Sequence, residues 1–282
     1  MIKILVDSGC DVEKSQAEEL GITLLPFTVR FGDEEYLDGL TLSHEQFFEK
    51  LIENSDLPQT SQINEFTFDD NFKRLTADGS QVIAITISSK LSGTYSSAVK
   101  AAKKYAGKVF VVDSLNACIG ERILLDYAIR LVDKGEMTAP QIAEELNEKK
   151  KKIQLLALLD TLKYLRKGGR ISSVAAVAGE MLSIKPVITV NEGEVKLLGK
   201  AMGSKKGNNL LNQFVTKCGG INFSMPYVLA YSGLSDAFLK KYIADSENLW
   251  KGRAENIPYY LIGSTIGTHV GPGAIAVAFF AN

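Results

Sequence analysis

Short apolar runs alternate with amphipathic stretches along the first half of the chain. Residues 2–6 are apolar but for Lys3 and predict a strand. Residues 13–20 have helical spacing and stop at Gly21. Residues 23–31 read as a second strand. Residues 43–54 read as a helix, with Ser43 at the N-cap and Gln46 three positions on, a capping box. Residues 64–76 predict another helix. The β-branched run 82–87 predicts a buried strand, followed by a helix over 94–105, a strand over 109–112 and helices over 120–134 and 139–152. Strands and helices alternating at these lengths predict a parallel sheet covered on both faces.

The second half has a different rhythm. A strand over 155–159 and a helical stretch over 160–166 lead into Arg166-Lys167-Gly168-Gly169-Arg170. Residues 185–190 and 194–199 flank Asn191-Glu192-Gly193 and predict a hairpin. Residues 205–217 and 236–248 are amphipathic helices, and 227–231, 258–262 and 274–280 are strands. Hairpins mixed with helices predict an α+β unit with a mixed sheet. The fold class expected is therefore α/β in two domains, a parallel-sheet domain over 1–153 and a mixed-sheet domain over 154–282. No internal repeat or low-complexity segment interrupts them.

Composition narrows the function classes. The 282 residues carry 32 basic and 33 acidic side chains, a net charge of −1, with 45% hydrophobic and 23% charged residues. A nearly neutral chain has no global field to collect nucleic acid, so an anionic ligand must be held by a local site. The cluster Glu148-Lys149-Lys150-Lys151-Lys152 reads as a solvated helix end. No apolar stretch approaches the ~20 residues that a membrane span needs. The start lacks the pattern of a signal peptide. Cys10, Cys118 and Cys218 are far apart, without a CxxC pair, and are expected to be reduced thiols in the cytosol.

Several segments can carry chemistry. Ser88-Ser89-Lys90-Leu91-Ser92-Gly93-Thr94-Tyr95 follows a buried strand and opens a helix. That places it at the carboxyl edge of a parallel sheet, where a helix N-terminus offers free N–H groups to a carboxylate or phosphate. Gly93 lets an oxygen approach the backbone, and Ser92 and Thr94 add hydroxyls; the competing reading is that Ser92 only caps the helix. Thr60-Ser61-Gln62 also puts hydroxyls just before a helix, as a ligand seat or as a cap and turn. Asp7 and Asp11, around Ser8-Gly9-Cys10, either cap the helix from Glu13 or serve a metal or a base, with no third carboxylate close in sequence. His44 reads as a surface residue on a helix start. His269, in Thr268-His269-Val270-Gly271-Pro272-Gly273, stands beside a tight turn, either as a satisfied structural group or as a donor to an anion. Arg166, Lys167 and Arg170 cluster around two glycines, suiting an acidic partner or a nucleotide phosphate, or simply forming a solvated turn. A hydrolase reading pairs Ser92 with His269, but no Gly-x-Ser-x-Gly elbow surrounds any serine. Neither a Gly-x-Gly-x-x-Gly nor a Walker motif is present.

Taken in order, six segments resemble the DegV family, which includes the FakB-like fatty-acid-binding subunits of bacterial fatty acid kinase. They are Asp7-Ser8, Thr60-Ser61-Gln62, residues 88–94, residues 160–171, Ile184-Lys185-Pro186-Val187-Ile188 and His269-Val270-Gly271-Pro272-Gly273. The resemblance spans essentially the whole chain and implies a lipid-binding protein, not an enzyme, with one long-chain fatty acid buried between the two domains. It implies that Thr60, Ser92, the Gly93 N–H and His269 hold the carboxylate, with Ser61 able to share the work. Arg170, with Arg166 and Lys167, is then the contact for a kinase subunit that supplies the ATP and magnesium sites. Members often continue Thr-Ser-Gln with Pro; Ile63 and Asn64 stand here instead. The expected setting is cytoplasmic, in phospholipid metabolism, with no cofactor, metal or nucleic acid and only transient contact with a membrane surface during ligand exchange. The remaining alternatives are the stand-alone hydrolase and a binding protein for another small anion.

Overall fold

The computed structural model describes residues 1–54, 56–171 and 184–282. Its first half runs β1 (Ile2–Asp7), α1 (Lys14–Glu19), β2 (Thr23–Leu25), β3 (Thr28–Phe31), β4 (Glu34–Leu37) and α2 (His44–Glu53). It continues through β5 (Gln59–Ser61), α3 (Glu65–Thr76), β6 (Gln81–Thr86), α4 (Thr94–Ala102), β7 (Val109–Asp113), α5 (Cys118–Lys134) and α6 (Ala139–Lys149). The second half runs β8 (Ile153–Leu158), α7 (Lys163–Lys167), β9 (Ile184–Asn191), β10 (Glu194–Met202) and α8 (Ser204–Lys217). It ends with β11 (Tyr227–Tyr231), α9 (Ala237–Asp245), α10 (Glu247–Trp250), β12 (Tyr259–Leu261), α11 (Ser264–Val270) and β13 (Ile275–Phe280).

Among the described residues these strands form three sheets. The order β2-β1-β6-β7 is parallel throughout, as the alternation of strands and helices predicts. Its central strand β6 is β-branched and buried on both faces from Val82 to Thr86, as a covered parallel sheet requires. The order β10-β9-β8-β13-β11-β12 is mixed, with β11 and β12 parallel and the other pairs antiparallel. The β9–β10 hairpin closes at Glu192 and Gly193, both with positive φ, which matches the twist of the flanking strands.

The mixed sheet has two different faces because side chains alternate along each strand. Leu156 and Leu158 of β8 join Leu211 and Val215 of α8 and Leu239 and Tyr242 of α9 in one core. Leu155 and Ala157 point the other way, into a core shared with β1, β6 and α5. Helix α5 packs against strands of both sheets, so the ligand-sized space described below lies where the two halves of the chain meet.

Four elements depart from the sequence pattern. Residues 23–31 are two strands in two sheets, separated at Pro26, whose missing N–H cannot continue a ladder. The second of them, β3, pairs with β4 and β5 in a small antiparallel sheet that no long apolar run announces. The helix over 236–248 breaks at Ser246, which leaves the helical region and turns its hydroxyl back to the Tyr242 carbonyl. Residues 264–270 are the helix α11, although β-branched Thr265, Ile266, Thr268 and Val270 read poorly as one. A buried acceptor stabilises its start: the Asp38 carboxylate accepts the Ser264 N–H at 2.9 Å and the Thr265 N–H at 3.2 Å.

Candidate functional site

The loop after β6 is fixed by carboxylates. Asp7 accepts the Ile87 N–H at 2.8 Å and Asp113 accepts the Ser89 N–H at 3.1 Å. The chain then turns at Ser88, whose carbonyl accepts both the Leu91 and Ser92 N–H groups. Helix α4 opens at Thr94 with Gly93 as its cap residue. Ser92 precedes that cap residue; its Oγ accepts the Thr94 N–H at 3.3 Å, and its hydroxyl lines the space in front of the helix. Among the described residues the Gly93 N–H has no acceptor within the chain. A side chain at position 93 would collide with the carboxamide of Gln62, which lies directly over the glycine.

Thr60 comes to the same place from β5 and His269 from the last turn of α11. Thr60 Oγ1 and His269 Nε2 are 3.2 Å apart, across 209 residues of sequence. Burial, helped by the positive charge of Arg170, pushes the His269 pKa down to about 4, so the ring is neutral near pH 7. Its Nδ1 packs over Gly168 and, among the described residues, is buried without a partner. Arg170 reaches back across the mouth, its Nε donating to the Leu91 carbonyl at 3.4 Å.

Behind this polar rim lies a cavity of about 500 Å³, within the ~300–1,000 Å³ usual for a small-molecule site. One wall is the inward face of the mixed sheet, where Leu155, Ala157, Ile188, Val190, Ala274 and Ala276 line it. The alanines leave room where larger residues would fill the core. Phe27, Ile87, Leu91, Ala117 and Cys118 close it from the first half, and Ile262, Ile266 and Val270 from the α11 segment. The cavity is thus a mostly apolar chamber, reached also by Thr189 and Thr265, with Thr60, Gln62, Ser92, Gly93, Arg170 and His269 gathered in its lining. A second hollow of about 490 Å³ shares Thr60, Arg170 and His269 and adds Tyr164 and Lys167.

A family described as "Uncharacterised protein, DegV family" has a sequence model that matches residues 1–282. The chain belongs to the DegV family. A DegV domain-containing protein of Clostridium perfringens is 32% identical over 292 residues, covering 99% of this chain and 97% of its relative. A solved structure described as showing fatty acid binding of a DegV family protein from Thermus thermophilus superposes with a TM-score of 0.88 at 26% identity, covering 100% of this chain and 99% of that one. A fat acid (stearic acid)-binding protein from Eubacterium ventriosum superposes with a TM-score of 0.86 at 26% identity, covering 99% and 97%. The N-terminal parallel sheet and C-terminal mixed sheet of this chain are the DegV fold.

Other residues singled out in the sequence sit differently in this DegV chain. Ser61 is exposed, on the opposite side of β5 from Thr60, and lines neither hollow. His44 is not a surface residue: it is 4% exposed, 3.8 Å from both the Glu13 and Asp38 carboxylates, because the start of α2 is packed under α11. Neither Asp7 nor Asp11 caps α1, a role taken by Glu13 with Gln16. Asp7 binds the Gly9 and Ile87 N–H groups, and burial raises its pKa to about 7. Asp11 binds the Gly263 N–H at 2.8 Å just ahead of α11, and burial raises its pKa to about 6. Among the described residues no three His, Cys, Asp or Glu side chains gather in a metal-binding group. Arg166 is exposed, Lys167 edges the second hollow, and Arg170 stands on the cavity rim itself. Asp38 went unnoticed in the sequence, since a lone carboxylate gives no periodic signal, and Gln62 was named only as part of its segment, without a role.

Proposed function

We propose that this chain holds one long-chain fatty acid, tail in the apolar chamber and carboxylate at the Thr60–Ser92–Gly93–His269 rim, and presents it to an ATP-dependent fatty acid kinase subunit. The observation that carries the reading is a mostly apolar cavity with Thr60, Ser92, Gly93 and His269 gathered in its lining. The fatty acid binding described for the Thermus thermophilus and Eubacterium ventriosum proteins supports it. Burying about fourteen methylenes at ~0.8 kcal/mol each contributes ~11 kcal/mol before ordering costs. Each charge-assisted hydrogen bond adds about 1.5–3 kcal/mol. The tail therefore supplies most of the affinity and the rim sets the direction. A carboxylate held at the mouth can take a phosphoryl group from ATP bound by the partner while its tail stays buried. The setting is cytoplasmic, and the ligand is exchanged at a membrane surface.

The hydrolase alternative has little support. His269 Nε2 faces Thr60 and not Ser92, and a ring whose pKa is pushed down to about 4 is a weak base. A polar anion is likewise a poor match for an apolar chamber.

The basic loop separates holding from presenting. Reversing Arg166 and Lys167 together to Glu leaves the cavity rim intact and is expected to leave fatty-acid affinity unchanged. Acyl phosphate formation in the reconstituted pair should fall steeply, since like-charge juxtaposition at an interface can cost several kcal/mol. Arg170→Glu is expected to lower both, because Arg170 also faces the carboxylate. Phosphorylation of the double variant at the wild-type rate would place kinase docking elsewhere.

A further inference from the structure

The ligand seat has a second layer behind Ser92. Ser92 Oγ lies 2.9 Å from Thr94 Oγ1 and also accepts the Thr94 N–H at 3.3 Å. Thr94 is completely buried, and its Oγ1 accepts the Ile63 N–H at 3.3 Å. Position 63 can make that bond because it is not proline. A buried hydroxyl must place its own proton on some acceptor or leave it unpaired at a cost. Among the described residues the side-chain acceptor beside the Thr94 hydroxyl is Ser92 Oγ. The hydrogen bond therefore runs from the Thr94 O–H to Ser92 Oγ. Ser92 Oγ now accepts twice from Thr94, which uses both its lone pairs. Its own proton is left to face the cavity.

Thr60 is oriented in the same way. Among the described residues a proton on His269 Nδ1 would be buried without an acceptor, whereas a proton on Nε2 is donated to Thr60 Oγ1. The neutral ring therefore carries its proton on Nε2 and turns the Thr60 hydroxyl outward as well.

We propose that Thr94 is a positioning residue that fixes the Ser92 hydroxyl as a donor. With the His269–Thr60 pair it turns two hydroxyl donors towards the cavity, which favours an ionised carboxylate over an uncharged head group on the same tail. This rests on the fatty-acid reading above. A carboxylate accepts every hydrogen bond that such a seat offers. A fatty alcohol takes the same hydrogen bonds without the charge assistance and gains less from them.

The test is the affinity for a long-chain fatty acid and for the alcohol of equal length, in wild type, Thr94→Val, Thr94→Ser and Ser92→Ala. Thr94→Val is expected to weaken the acid about three- to tenfold, the worth of one hydrogen bond, and to leave the alcohol within about twofold. Thr94→Ser should restore the acid, and on a Ser92→Ala background Thr94→Val should cost nothing further. Thermal unfolding checks that each variant folds, and Thr94→Ala repeats the comparison if Thr94→Val does not. An equal loss for acid and alcohol, an unchanged acid affinity, or no rescue by Thr94→Ser overturns the role of Thr94. Wild type that binds no fatty acid at all fails the functional reading itself, a separate result.

Discussion

At the scale of single residues, the ionisable groups show what burial costs. The His269 pKa is pushed from its ordinary 6.5 down to about 4. The unfolded chain therefore takes up a proton first as pH falls, and His269 contributes a loss of stability between pH 6.5 and about 4, with no effect above. Asp7 acts in the opposite direction. Its pKa is raised from 3.8 to about 7, so its buried charge lowers stability at higher pH, and protonation relieves that as pH falls towards 4. A comparison of wild type with His269→Gln isolates the first contribution. Urea unfolding at about pH 7.5 and about pH 4.5 should show the variant losing less stability between them than wild type. Equal losses would mean that the ring is charged or solvated in the folded state. A bound carboxylate should raise the ring pKa, which NMR titration with and without fatty acid can follow.

At the scale of elements, the seat depends on how α11 is anchored. Asp38 is completely buried and accepts from Ser8 Oγ, the Ser264 N–H and the Thr265 N–H, while Asp11 accepts the Gly263 N–H. These two carboxylates from the first half of the chain hold the start of the helix whose end carries His269. Asp38→Ala leaves two buried N–H groups unpaired at about 1–3 kcal/mol each. We expect urea unfolding to show a loss of at least about 2 kcal/mol, smaller in Asp38→Asn, which keeps one acceptor. An unchanged midpoint would show that α11 is held by packing alone. Helices with strong periodicity, such as residues 43–54 with Ser43 and Gln46, were legible in the sequence because the cap and the apolar face agree. Helix α11 was not, because it is short and β-branched and its stabilising acceptor lies 226 residues away. Strands β4 and β5, on either side of β3, escaped for a similar reason: each is short and gains its partner only in three dimensions.

At the scale of the whole molecule, the function depends on space that sequence cannot reveal. Thr60, Ser92, Gly93 and His269 were nameable from motifs, and the fold gathers them on one rim. The chamber behind them was not, because Leu155, Ala157, Ile188 and Ala276 read as ordinary core residues on alternating strands. Only the meeting of two sheets around α5 shows that their inward faces leave a cavity of about 500 Å³ unfilled. That an acyl chain fills this volume is the central claim. Native mass spectrometry of the chain purified from cells, followed by organic extraction, tests it most directly. The expected result is a mass increment of about one long-chain acid per protein, displaced by added fatty acid and reduced when Ala157→Phe narrows the chamber. Protein that emerges empty, and stays empty on incubation with long-chain fatty acids while folded, would contradict it.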